Sequence, residues 1–314
     1  MRYDVSVIIC CYNSNLSKTY KTINSVVKQK NIKYEIIISD DGSKNNHKLE
    51  IETYCKQFKN IDFKFNFLTK NIGTIRNILS AVSISSGLYI KTLSPGDYFA
   101  KENALEKYFQ KAIENDSDIV YSDTVFYCEN KIVERNDVSH KKFIYNSNKI
   151  AKRFALYKCH FMGNAFIAKR EVYDLLKPIE GKVLYLEDQA IIIQSYILEK
   201  KFNSLSEQLV WYEYGTGIST SKDKINNQRL YKDEVLLSSF IISNYKNEPN
   251  AKKIIRKLRY SDYKNRLVKY LLFLIFYPGY FIAKIQSVLS KSLNCDITIE
   301  DRDRITSLIE GNGE

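Results

Sequence analysis

What the sequence lacks narrows it before any motif is read. Its six cysteines (Cys10, Cys11, Cys55, Cys128, Cys159 and Cys295) form no C-x-x-C pair, and His47, His140 and His160 stand at no zinc spacing. The cysteines therefore read as reduced thiols of a cytosolic protein, with neither a disulfide framework nor a zinc finger. No G-x-G-x-x-G follows the first apolar run, where CCYNSN stands instead, which argues against a nicotinamide-dependent Rossmann enzyme. No apolar run reaches the roughly twenty residues that a spanning helix needs. The longest, YLLFLIFYPGYFIA at 270–283, is broken by Pro278-Gly279. Near Met1 the run VSVIICC is shorter than a signal-peptide core and has no small-residue cleavage site after it, so it reads as a first buried strand. Internal repeats and low-complexity tracts are absent. The basic residues are scattered rather than gathered in a nucleic-acid reader motif, so nucleic acid is not an expected partner.

What is present points to a globular protein. With 314 residues, 44% hydrophobic and 13% aromatic, the chain can form one large domain with an appendage, or two domains. Forty-eight Lys and Arg against thirty-six Asp and Glu give +12, which favours anionic partners such as nucleotides or acidic lipid surfaces. The first half alternates strand-like and helix-like stretches: VSVIICC, a polar segment to Gln29, EIIIS, a second helical stretch, then the period-two FKFNFL. This order predicts an α/β fold with a mostly parallel sheet and flanking helices. Ligands then sit beyond the carboxyl ends of the strands. The residues there are Tyr12-Asn13, Asp40-Asp41-Gly42-Ser43, Asn71 to Asn77, and Ser94 to Asp97. The same residue types also make ordinary βα turns and helix caps; four such groups at one sheet edge favour a site.

Further along, ENALEKYFQKAIEN reads as a helix, DIVYSD as a short strand and VFYCENKIVE as a hairpin. GNAFIAKREVYDLL gives a strand running into a helix, LYLEDQAIIIQSYILEK a helix opened by an acidic pair, and LVWYEYGTGISTSK a strand with a Gly-rich exit. After Lys222 glycines thin out and Lys and Arg alternate with apolar residues, so 1–222 is the expected main domain and 223–314 a helical extension. RKLRYSDYKNRLVKY followed by the apolar stretch resembles an interfacial basic-aromatic segment, the alternative being a hairpin packed on the domain.

Taken in order, VSVIICCYN, EIIISDDGS, KNIGTIRN, GLYIKTLSPGDYF and GNAFIAKREVY with LEDQ resemble the family 2 glycosyltransferases of the GT-A fold, over about residues 4 to 220. The resemblance implies an inverting transferase moving a sugar, hexosyl or related, from a nucleotide donor, UDP-linked, to a glycan acceptor. It further implies a lipid-linked acceptor in bacterial capsular or surface polysaccharide synthesis, with the enzyme held peripherally on the cytoplasmic membrane face. Cys11, Tyr12 and Asn13 would line the donor pocket, Tyr12 packing on the base. Asp41, supported by Asp40, would accept from the base N–H. Arg76 and Asn77 would face the nucleotide, Arg76 offering charge to phosphate. Asp188 would be the base and Glu187 its support or an acceptor contact, since inversion needs a carboxylate to take the acceptor hydroxyl's proton.

One departure stands out. Where the family commonly has D-x-D or D-x-D-D, this sequence has Ser94-Pro95-Gly96-Asp97. Asp97 alone would meet Mn²⁺ or Mg²⁺ and Ser94 would replace a ribose-binding acid, giving weaker metal affinity than a full D-x-D member. The rival reading is a nucleotide-sugar-binding or assembly protein whose catalysis has lapsed; the retained Glu187-Asp188 pair argues against it.

Overall fold

The computed structural model describes residues 3–128, 131–132, 151–152, 154–156, 162–218, 223–261, 265–279 and 281. Strands β1 (Tyr3–Cys11), β2 (Tyr34–Asp40), β3 (Asp62–Phe67) and β4 (Gly87–Leu93) alternate with helices α1 (Leu16–Val27), α2 (Lys48–Cys55) and α3 (Thr74–Ile84). There follow β5 (Tyr98–Phe99), α4 (Ala104–Glu114), β6 (Ile119–Cys128), β7 (Lys131–Ile132), a 3-10 turn at Gly163–Ala165 and β8 (Phe166–Lys169). A 3-10 segment (Arg170–Ile179), α5 (Glu187–Ile197), β9 (Phe202–Glu213), α6 (Lys224–Asn244), α7 (Ala251–Ser261) and α8 (Arg266–Phe276) complete the described chain.

One sheet carries the fold, in the order β3-β2-β1-β4-β8-β6-β9-β5, with β7 paired to β6. The expected parallel sheet is found in its first half, where β3, β2, β1 and β4 all run parallel. The second half is mixed. β8 starts beside the carboxyl end of β4 and so runs antiparallel to both β4 and β6, while β6 and β9 are parallel. The expected VFYCENKIVE hairpin appears as the antiparallel β6–β7 pair.

The central strands are apolar on both faces because helices cover both. Val7, Ile8 and Ile9 of β1 and Ile36, Ile37 and Ile38 of β2 have no exposed surface. Each such side chain contributes about 2 kcal/mol by leaving water. On β3, at the edge, Phe63, Phe65 and Phe67 stack in a row at 6.4 and 6.2 Å, which the period-two pattern anticipates. Asn15 caps α1 by accepting from the Lys18 N–H at 3.1 Å, worth about 1 kcal/mol.

The extension shares this core. Leu237 and Ile241 of α6, Ile254 and Ile255 of α7 and Phe273 of α8 pack in the cluster that holds Ile8, Ile75, Phe166 and Ile191. Residue 222 thus separates two stretches of sequence but not two cores. Basic residues line the outer side of α7, where Lys252, Lys253, Arg256 and Arg259 are exposed. Among the described residues no helix is long and apolar enough to cross a membrane. Much of the stretch between 125 and 185, and the end of the apolar run at 270–283, lie outside the described residues.

Candidate active site

The carboxyl ends of β1, β2 and β4 meet two later loops at one edge of the sheet. After β1, Tyr12 leaves half of its surface exposed and Asn13 turns through φ +47°. Asn13 is locked to the next strand end: its N–H donates to Ser43 Oγ at 2.6 Å and its Oδ1 accepts from the Lys44 N–H. Cys11 is buried with its thiol near the Ile9 carbonyl, so it offers the cleft only backbone, and its carbonyl accepts from the Asp41 N–H.

Both aspartates of DDGS build the turn. Asp40 accepts from the Ser43 N–H at 2.8 Å and the Ser43 hydroxyl at 2.6 Å. Asp41 accepts from the Ile72 and Gly73 N–H groups at 2.7 and 3.0 Å, tying the start of α3 to β2. Burial raises the Asp41 pKa, and these two hydrogen bonds oppose the rise. Each carboxylate keeps lone pairs for a ligand, but both are anchors first.

Arg76 and Asn77, expected to face the nucleotide, are turned elsewhere. Arg76 pairs with Glu180 at 3.3 Å and lines a groove with Ser80, Ser83 and Asp174 along the flank of α3. Asn77 is 2% exposed, accepting from Ser39 Oγ at 2.6 Å and donating to the Ser39 carbonyl. The helical period explains both: with Asp41 gripping residues 72–73, position 77 falls against β2 and position 76 on the outer flank.

The SPGD turn is also built differently from the expectation. Ser94 is exposed at the strand end, as a ligand-facing residue should be. Asp97 is 5% exposed and folds back into the turn, accepting from the Ser94 N–H at 3.2 Å and the Glu213 N–H at 3.3 Å. Burial pushes its pKa up to about 7, against the pull of those N–H groups and of Lys91. The carboxylate expected to meet the metal is here engaged inside the fold. Beneath it lies Lys91, fully buried, its ammonium donating to the Asn164 and Phe166 carbonyls and lying 5.2 Å from the centre of the Tyr108 ring. Burial lowers its pKa to about 7. Among the described residues no three His, Cys, Asp or Glu gather as a metal-ligand group. The donors at this turn nevertheless suit a cation, because the Lys18 ammonium already lies on Glu213 Oε1 at 2.5 Å.

Glu187 and Asp188 open α5, as the sequence predicts, with Asp188 Oδ1 accepting from the Gln189 N–H at 2.7 Å. They face the donor side: a Cβ at Gly163 would lie 3.3 Å from Glu187 Oε1, and the Glu187 charge bears on Cys10 of β1. Both are partly accessible yet enclosed by protein, and burial raises both pKa values, that of Glu187 further through the charges of Asp188 and Asp233.

Asp233 was not singled out from sequence. It lies on α6, is 2% exposed, and accepts from the Leu184 and Tyr185 N–H groups at 2.8 and 2.6 Å. The same loop packs on α3 through the Ile75 N–H and the Leu184 carbonyl. The acid pair is thereby held from both sides. Nothing local marks Asp233, which sits in a polar stretch, NNQRLYKDE, like any surface helix.

The model for glycosyl transferase family 2 matches residues 6–176, more than half of the chain. An uncharacterized glycosyltransferase of Mycoplasma pneumoniae is 27% identical over 225 residues, 70% of this chain and 71% of its own. In fold the chain resembles S. aureus TarS 1–349, solved with UDP-GlcNAc, at TM-score 0.60 and 16% identity, covering 98% of this chain and 92% of that one. It likewise resembles the mannosyltransferase PcManGT of Pyrobaculum calidifontis, solved with GDP-Man and Mn²⁺, at TM-score 0.58 and 13% identity, covering 98% and 84%. The half-parallel sheet of this fold and the family match over residues 6–176 identify the chain as a glycosyltransferase of family 2, with the GT-A fold.

Proposed function

We propose that the protein is an inverting transferase that moves a sugar from a nucleoside diphosphate donor, UDP-linked, to a hydroxyl of a glycan acceptor. The observation that carries this is the juxtaposition of Glu187-Asp188 with the β1 end across Gly163. This proximity supports reading the pair as a base that faces the donor. Tyr12 supplies an exposed aromatic face for the base, and Asp40 and Asp41 fix the turns around it. Asp188 takes the acceptor hydroxyl's proton as that oxygen bonds to the anomeric carbon from the face opposite the nucleotide. The bond from that carbon to the diphosphate oxygen breaks, and its electron pair leaves on the diphosphate. A divalent ion, when bound, neutralises that leaving charge. Glu187 stands beside Asp188 at the start of the same helix as its support. In a panel of nucleotides with Mn²⁺, UDP should raise the melting temperature and the other nucleotides should not. An equal response to all of them would sink the UDP assignment.

The acceptor we assign is lipid-linked, in bacterial surface or capsular polysaccharide assembly, with the enzyme peripheral on the cytoplasmic membrane face. The support is the outer surface of the extension. On α8, Leu267, Ile275, Leu271 and Leu274 are 75%, 67%, 57% and 54% exposed, next to the cations of α7. Exposed apolar residues beside cations suit an anionic bilayer. The full chain should co-sediment with vesicles containing phosphatidylglycerol, and a Leu271→Glu/Ile275→Glu variant should lose most of that binding. Equal sedimentation of the two proteins would remove the membrane from this reading.

A further inference from the structure

We propose that Glu213 supplies the cation-facing carboxylate of the donor site, in place of the acid missing at Gly96. The inference rests on the nucleoside diphosphate reading above and concerns how this chain meets the charge of that donor.

Gly96 has φ +104°, where an L side chain is strained, and a Cβ built on it would lie 3.2 Å from Glu213 Cδ and closer still to Oε2. The Glu213 carboxylate therefore fills the volume that a side chain at position 96 would enter. The strand end of β9 delivers it there. Its side chain is 11% exposed, Oε2 accepts from the Thr216 hydroxyl at 3.3 Å, and its backbone N–H is held by Asp97. The carboxylate is thus fixed in place at the rim of the turn.

A cation already occupies this carboxylate. Lys18 lies one helical turn before Thr22, whose hydroxyl donates to the Asp97 carbonyl and accepts from the Gly96 N–H, so α1 is seated on the SPGD turn. From there the Lys18 ammonium reaches Glu213 Oε1. Lys18 is 41% exposed on a flexible four-carbon stem and can withdraw, whereas Glu213, 11% exposed, is the more enclosed partner. Divalent magnesium or manganese needs only one or two protein carboxylates when waters and diphosphate oxygens complete its shell. Asp97, sealed inside, acts as a positioning residue by fixing the backbones of Ser94 and Glu213. The Asn164 carboxamide, 6% exposed, lies beside Asp97 and helps hold its carboxylate inside the turn.

The test is a Mn²⁺ titration of the full chain followed by electron paramagnetic resonance, with and without UDP. In the presence of UDP, Glu213→Gln should weaken Mn²⁺ binding roughly tenfold, with the binding of uridine, which carries no diphosphate, unchanged. Lys18→Met should bind Mn²⁺ as tightly as the wild type or more tightly, because a competing ammonium is gone. Melting curves at matched pH check that each variant is folded. Wild-type Mn²⁺ affinity in Glu213→Gln overturns the assignment. UDP binding that ignores Mn²⁺ but is lost in Lys18→Met also overturns it, leaving the ammonium as the diphosphate's counter-charge and the donor reading intact. If no nucleotide binds under any condition, the donor reading falls and the assignment with it.

Discussion

Replacing Asp188 by Asn lowers kcat by about 10³-fold, within the range that a positioned general base contributes. The variant should still show the melting shift with UDP, because Asp188 Oδ1 accepts from its own helix start and holds none of the donor turns in place. The pH dependence follows from the raised pKa values of the acid pair. The base works only when deprotonated, so kcat/KM of the wild type rises with pH as the pair loses its proton, above the usual carboxylate range. Stability runs the other way. A carboxyl whose folded pKa is raised binds its proton more tightly when folded, so its stabilising contribution is complete below the unfolded pKa and lost as pH rises through the folded one. At pH 8 the Asn variant should therefore melt no lower than the wild type. Activity within tenfold of wild type would remove Asp188 from the base role, and a lower melting point at pH 8 would contradict the burial cost assigned to the pair.

Gly42→Ala should be the most destabilising single methyl in the donor cleft. Gly42 has φ +68°, and a Cβ there would come within 2.5 Å of the Asn71 backbone nitrogen and closer to the Lys70 carbonyl carbon. Both neighbours are backbone, so neither can rotate away. The loop at 70–73 would have to retreat, breaking the two N–H bonds to Asp41. Backbone strain and lost anchors together cost on the order of 3 kcal/mol or more. Urea denaturation should show a clear fall in midpoint, and UDP should bind more weakly. Gly215→Ala is the comparison: Gly215 also has a positive φ, +96°, but nothing lies within 4 Å of its Cβ position, so only backbone strain remains. Equal midpoints for the two variants would show that close packing at Gly42 is not what demands glycine.

How much of this was legible in the sequence depended on distance along the chain. The strand ends after β1, β2 and β4 were readable because apolar runs of period two, or doubly buried runs, are local signals and the polar turn follows at once. Glu187-Asp188 was readable for the same reason: an acidic pair immediately before QAIIIQSYI marks a helix start. The side-chain directions of Arg76 and Asn77 were not, because they depend on Asp41 clamping Gly73, a contact made across 32 positions. Glu213 reaches Asp97 across 116 positions and Asp233 reaches Leu184 across 49, and neither has a neighbour that hints at its partner. Asp97 shows the limit most clearly. Its presence at the strand end was read correctly, but whether a carboxylate faces the cleft or its own turn is decided by φ at Gly96 and by the arrival of β9.

Asp233 ties the approach to the acid pair to a late part of the chain. The sheet, both aspartate turns and the acid pair are all encoded before residue 214, yet the grip on Leu184 and Tyr185 arrives only with α6. A chain clipped before α6 would lose this grip together with Leu237 and Ile241, which share a core with Ile8, Ile75 and Ile191. The placement of the acid pair is thus tied to a helix that follows the whole sheet in sequence.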